Sequence, residues 1–258
     1  MFRLSRSNVN TSIAVFTMLF FTQAAYAVPI FWTDWIASTT TNGFTANGTI
    51  TTGTSTVQVT YNNPQGIGFF NTGGGTDYWT SGGVRNNATS PYTSALIDNI
   101  PTGTDIIALQ FAGNQTLKFS QTIANPVFSY VSLNGNGYAF NQDFDILSFG
   151  NGTANDTCGY WGCGTSSKSV VDLGGGNFEY QLLGTGEPHG TIRFTGGFDT
   201  VSWRSLSNEF WNGFTVGVQG TAAEVFQPPT IGVPEPASLA LMGLGLAGLG
   251  FTRRRKKT

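Results

Sequence analysis

The sequence predicts an all-β protein: a single jelly-roll-like β-sandwich between an N-terminal signal peptide and one short C-terminal transmembrane helix. Three observations predict it. Apolar residues recur with period two along many short runs, the pattern of a half-buried strand. Gly-, Asn- and Ser-rich turns punctuate those runs, in a chain with 35 glycines among 258 residues. No long stretch of the body keeps a 3.6-residue period, and helix-forming residues are sparse there.

Residues 1–27 have the three parts of a secretory signal. Arg3 and Arg6 supply the positive start and Ile13 to Phe21 the apolar run. Ala25 and Ala27 are the small residues that a signal peptidase accepts, so cleavage after Ala27 makes Val28 the first mature residue. The body spans 28–227. Val57, Val59 and Tyr61 share one strand face, and so do Ile107, Leu109 and Phe111. Val127 to Leu133 is a more continuous apolar run, as expected of a strand covered on both sides. Phe140, Gln142, Phe144 and Ile146 alternate with Asn141, Asp143 and Asp145. Further strands are predicted at Phe178 to Leu183, Thr191 to Thr195, Thr200 to Arg204 and Phe214 to Gln219. Turns fall at Asn71 to Gly75, Ser81 to Gly83, Asn134 to Gly137 and Gly174 to Gly176. No composition break divides the region, which argues for one extracellular sandwich domain.

A short linker, 228–232, joins the body to a tail over 233–258. The tail reads Val233-Pro234-Glu235-Pro236, then an apolar Gly/Leu/Ala-rich run from Ala237 to Phe251, then Arg253, Arg254, Arg255, Lys256 and Lys257. Fifteen helical residues rise about 22 Å, short of a ~30 Å hydrocarbon core, with Val233 and snorkelling arginines to make up the difference. The basic cluster stops translocation and stays cytoplasmic. Prolines on both sides of Glu235 keep that segment extended.

This order of P-E-P, apolar helix and basic end resembles the PEP-CTERM sorting signal of Gram-negative, exopolysaccharide-producing bacteria. The resemblance implies recognition of Pro234, Glu235 and Pro236 by a membrane protease of the exosortase type. It also implies an inner-membrane-anchored intermediate, followed by delivery to the envelope surface or the extracellular matrix. A second stretch, Gly190 to Trp203 with Asn208 to Val218, resembles the closing strands of extracellular domains found ahead of such tails. That likeness implies a fold and a compartment, and no ligand.

Charge excludes some functions. Only 10% of residues are charged, against roughly 25% in ordinary soluble domains. Between Val28 and Gly232 five basic residues face thirteen acidic ones, a net of −8, so no basic cluster is present to replace phosphate counterions. Nucleic acid is not a partner. Catalytic inventory is thin as well: the single histidine, His189, sits in a Gly-Glu-Pro-His-Gly turn and reads as a surface residue, and no metalloprotease, P-loop or dinucleotide motif occurs. The protein is not expected to be an enzyme, although thirteen carboxylates always offer some pair for glycoside hydrolysis.

Cys158 and Cys163 bracket Tyr160 and Trp161, and in an exported chain so close a pair predicts a local disulfide. Pinned aromatic rings stack on the C–H faces of sugars, so Trp161, Tyr160 and the loop residue Trp79, beside Tyr78, are the candidate glycan-stacking residues. Asp143 and Asp145, near Asn141 and Gln142, are weak candidates for a structural Ca²⁺; no other cofactor is expected. The leading expectation is therefore an exported, non-catalytic structural sandwich associated with exopolysaccharide. The alternatives are a lectin-like carbohydrate-binding module and, third, a glycoside hydrolase.

Overall fold

The computed structural model describes residues 27–154 and 156–226. Its strands begin with β1 (Phe31–Trp32), β2 (Asp34–Thr39), β3 (Phe44–Thr51) and β4 (Thr56–Asn63). After β5 (Phe69–Asn71) a long irregular stretch intervenes before β6 (Ile106–Leu109), β7 (Gly113–Ala124), β8 (Val127–Val131) and β9 (Gly137–Phe140). Next come β10 (Asp145–Phe149) and the long hairpin of β11 (Gly164–Gly174) and β12 (Asn177–Gly186). The series closes with β13 (Gly190–Arg193), β14 (Gly197–Ser205), β15 (Asn212–Val218), β16 (Gly220–Thr221) and one short helix, α1 (Ala222–Phe226).

These strands form two antiparallel sheets packed face to face. One runs β10-β13-β8-β15-β6-β5 with β1 beside β15; the other runs β11-β12-β9-β14-β7-β4-β3-β2 with β16 beside β7. From β6 to β9, and again from β12 to β15, successive strands alternate between the sheets. Between the sheets, Phe128 and Phe214 stack with centroids 4.8 Å apart, and Trp203 meets both edge-on. A hydrogen-bonded chain crosses this core: Tyr61 donates to Gln115 Oε1 at 2.6 Å, and Gln115 donates to Ser205 Oγ at 2.7 Å, while the buried Trp203 Nε1 has no partner.

Every residue of β8 is buried, as its unbroken apolar run predicts. The physical reason is a second cover: Trp79, Tyr92 and Ile100 of the irregular stretch pack with Ile106 and Val131 in a separate cluster. Alternation also places Val57, Val59 and Tyr61 in the core of β4. Phe111 differs from Ile107 and Leu109: β6 ends at Leu109 and Phe111 is exposed.

The expected strand from Phe140 to Ile146 is broken. β9 ends at Phe140 and β10 begins at Asp145 in the opposite sheet, so 141–144 is a crossing. Asp143 Oδ1 accepts from the Phe144 N–H at 2.7 Å, a local bond that competes with strand pairing. Phe140 and Phe144 both stay in the core, 5.5 Å apart, which explains why the apolar spacing resembled a continuous strand.

β7 runs the height of the sandwich. Gly113 pairs with Ser205 at one pole; Ala124 pairs with Gly197 and Gly220 at the other. Strand rise sets these poles roughly 35 Å apart.

Candidate functional site

At the first pole a cleft of about 360 Å³ opens between three turns and the disulfide loop. Ser132 and Asn134 come from the turn after β8, Glu187 from the turn after β12, Glu209, Phe210 and Trp211 from the β14–β15 loop, and Trp161 from the loop closed by Cys158 and Cys163. The two cysteines are bridged.

The aromatic rings form a chain of edge-on contacts. Trp211 lies 5.0 Å from Phe69 and 4.9 Å from Tyr78; Tyr78 lies 5.1 Å from Tyr160, and Tyr160 4.8 Å from Trp161. Trp161 returns to Trp211 at 6.3 Å. Trp161 is 53% exposed and Phe210 85% exposed. Isolated exposed apolar residues need no explanation, but two large rings converging on one cleft do.

The disulfide loop is seated by a close approach. A side chain at Gly159 would put its Cβ 2.1 Å from the His189 ring, so only glycine lets the loop rest there. His189 is fully buried, which corrects the expectation of a surface histidine. Its turn is polar in sequence, yet it lies beneath the loop and beside Tyr92. Burial lowers the imidazole to about 3, so the ring is neutral.

Two carboxylates face the cleft. Glu187 accepts from Ser132 Oγ and from the Asn134 amide, both at 2.5 Å. Glu209 accepts from the Asn212 amide at 2.7 Å through Oε2, while its buried Oε1 has no hydrogen-bond partner of regular geometry. Burial raises Glu209 to about 7, against the pull of the Asn212 and Asn136 amides and the Asn134 backbone, and the charge of Glu187 adds to the rise. No lysine or arginine is among the residues lining this cleft. A chemically different depression of about 380 Å³ lies on the outer face of the nine-stranded sheet. There Glu179 is spent on a two-pronged bond to Arg204, at 2.9 and 3.0 Å, and the guanidinium holds it below the usual carboxylate range.

Of the predicted glycan-stacking residues, the structure brings Trp161 and Tyr160 together with Tyr78. Trp79 is elsewhere: it is 1% exposed and donates through Nε1 to the Asp105 carbonyl at 3.1 Å, so it offers no ring face at the surface. Asp143 and Asp145 do not share a strand face as expected. Asp143 contacts Lys168 Nζ, and Asp145 sits 3.4 Å from Arg193. Each of the two carboxylates therefore faces a cation. Glu187, Glu209, Phe210 and Trp211 are site residues without a predicted role; the second resemblance places Glu209 and Trp211 only in a loop ahead of the final strand, and the available signal was two aromatic residues following an acid.

The other pole carries the chain's exit. Thr221 and Glu224 form a reciprocal cap: the Thr221 N–H donates to Glu224 Oε2 at 2.7 Å, and the Glu224 N–H to Thr221 Oγ1 at 3.2 Å. Glu224 Oε1 also accepts from Thr52 Oγ1, the Thr54 N–H and Thr54 Oγ1, at 2.8, 2.8 and 2.6 Å. Desolvation pushes this carboxyl up, but these bonds, led by Thr54, outweigh it and hold it at about 2. Ala25, Pro234, Glu235, Pro236 and the basic residues 253–257 lie outside the described residues.

Fold and cleft together define an all-β sandwich protein with an acidic, aromatic-lined cleft at the pole away from its C-terminal exit. Residues 232–256 match the PEP-CTERM protein-sorting motif. That motif implies processing by an exosortase, a membrane enzyme, and export with sorting to the cell surface. Neither a curated protein nor a solved structure matches the chain.

Proposed function

We propose that this protein is a non-catalytic carbohydrate-binding module displayed at the cell surface, set on a jelly-roll scaffold and reaching exopolysaccharide through the polar cleft. The observation that carries this reading is the convergence of Trp161, Phe210 and Trp211 with Glu187 and Glu209. Flat rings bury the C–H face of a sugar at small entropic cost, and carboxylates accept from its hydroxyl or amine groups. The alternation of eight strands between the sheets supports a jelly-roll reading, a fold that leaves its end loops free to vary. Two acids and no cation in the lining disfavour uronic acids and favour neutral or amine-bearing saccharides. No cofactor enters this reading. Export proceeds through a membrane-held intermediate whose tail is the exosortase substrate.

Calorimetric titration with glucosamine, N-acetylglucosamine and galacturonate oligomers tests the reading. Binding of either of the first two classes is expected, weakened about tenfold or more in Trp161→Ala and Phe210→Ala, since a stacked ring contributes of order 1 kcal/mol or more. Absence of binding to all three, or binding indifferent to both substitutions, overturns it. Cleavage of a bound oligomer that is lost in Glu209→Gln would replace it with the hydrolase reading.

A further inference from the structure

Four strands end the two sheets, and they are not alike. β2 has 6 residues with a register break between Trp35 and Ala37; β10 has 5, with a break between Ile146 and Ser148; β5 has 3. Short length and bulges are the usual protection of an edge against strand pairing. β11 is 11 residues long, contains no proline, and pairs with β12 in unbroken register from Gly164 to Asp172. Its partner β12 meets β9 only from Tyr180 to Leu183, so the outer half of the hairpin projects past the sheet. Val170, opposite Tyr180 at the start of that half, is 53% exposed; Leu173 and Phe178, further out, are 62% and 45% exposed and border the depression beside Glu179 and Arg204.

The geometry points to β11 as the interface of a two-fold dimer, in which β11 pairs antiparallel with β11 of a second copy and joins the two nine-stranded sheets. The sequence of this edge selects the partner. Pairing centred on Val170 sets Lys168 of each copy opposite Asp172 of the other, so one register forms two ion pairs. Centring on Ser169 or Val171 leaves both charges opposite uncharged residues, and centring on Lys168 or Asp172 opposes like charges. Lys168, Val170 and Asp172 alternate onto one face of the strand, so the apolar centre is flanked by the two charges. In the single copy Lys168 Nζ contacts Asp143 and the Phe144 carbonyl, 5.3 Å from the Phe144 ring and 5.6 Å from the Tyr180 ring of β12, so the cross-strand pair forms by swinging this ammonium to the open edge. Asp172 makes no ion pair among the described residues; its Oδ1 accepts only from the Gly174 N–H. The pairing is isologous, so it consumes both open edges and closes at two copies.

Charge exchange tests it on the processed protein purified from its host. Wild type should sediment as a reversible dimer whose dissociation is promoted by salt. Asp172→Lys and Lys168→Asp should each weaken self-association roughly tenfold, because two attractive pairs become repulsive. An equimolar mixture of the two variants should recover the dimer, since a strand carrying two lysines then faces a strand carrying two aspartates. Circular dichroism identical to wild type secures the comparison. A wild type that stays monomeric up to millimolar concentration overturns the inference, and so does a dimer that neither substitution weakens or that the mixture fails to restore.

Discussion

The hydroxyl of Tyr92 lies 3.1 Å from Nδ1 of His189 and 3.3 Å from the carbonyl of Tyr78. A carbonyl can only accept, so Tyr92 donates to Tyr78 and its oxygen receives the Nδ1 proton of His189. This assigns the tautomer and leaves Nε2 as a bare, buried nitrogen without a partner. The same three residues tie the cleft's aromatic chain to the floor of the disulfide loop, because Gly159 rests on the imidazole and Tyr78 touches Tyr160 and Trp161.

Protonating Nε2 would place an unsatisfied charge in that site. His189 is held at about 3, below its value of 6.5 in an unfolded chain. The unfolded state therefore binds the extra proton first, and stability present above pH 6.5 is lost as pH falls through 6.5 towards 3. Chemical denaturation of wild type and His189→Gln should show the wild type losing on the order of 4 kcal/mol more across that window. Parallel pH profiles would show that the ring titrates without effect.

Gly159→Ala should destabilise the fold by about 1–3 kcal/mol, because the added methyl overlaps the His189 ring. Thermal melts check this. Pairing the substitution with His189→Ala, which vacates the space, should recover part of the cost of the alanine at 159.

Replacing both Cys158 and Cys163 by serine removes a short loop closure. Global stability should fall by about 2 kcal/mol or less. Saccharide affinity should fall more steeply than stability, because Trp161 loses the constraint that keeps it in the cleft. Titration well below the unfolding midpoint separates the two effects.

Glu209 behaves with the opposite sign to His189. Its carboxyl is raised to about 7, so the folded state holds the proton more tightly than the unfolded chain. Stability from this group is fully present below about pH 4.5 and is lost as pH rises to 7. Glu209→Gln, which cannot ionise, should gain on wild type over that range; the solvent Glu209 still meets limits the gain to about 1 kcal/mol. Urea midpoints at pH 5 and pH 8 measure it.

Much of the sandwich was legible because sheet pairing rewards period-two alternation locally, as in Val57, Val59 and Tyr61. β11 was not, since an edge strand of Thr, Ser, Lys and Val has no face that must be apolar. β3 was hidden by Ala46 and Gly48 at two of its inward positions. The stretch around Trp79 and His189 misled for one reason: both lie in turn-rich sequence, and turns are ordinarily exposed. Here the turns fold over β6 and β8 as a second layer, a non-local arrangement that spacing does not encode. Half of the cleft was legible, through the cysteine pair and Trp161; the acids were not, because Glu187 and Glu209 are 22 residues apart and meet only when the polar loops converge.

The Glu224 clamp also sets a leash. It fastens the chain to the turn at Thr52 and Thr54 just before the described body ends at Phe226, and only residues 227–233 separate that point from Pro234. Seven residues reach at most about 25 Å even when drawn straight. An enzyme working on Pro234, Glu235 and Pro236 must therefore operate in the shadow of a folded globule, with the pole that carries α1 as its ceiling. Freeing the clamp by Glu224→Ala adds several residues of slack and widens that gap without touching the motif. The geometry makes tail processing a reporter of how firmly the last turn of the body is closed.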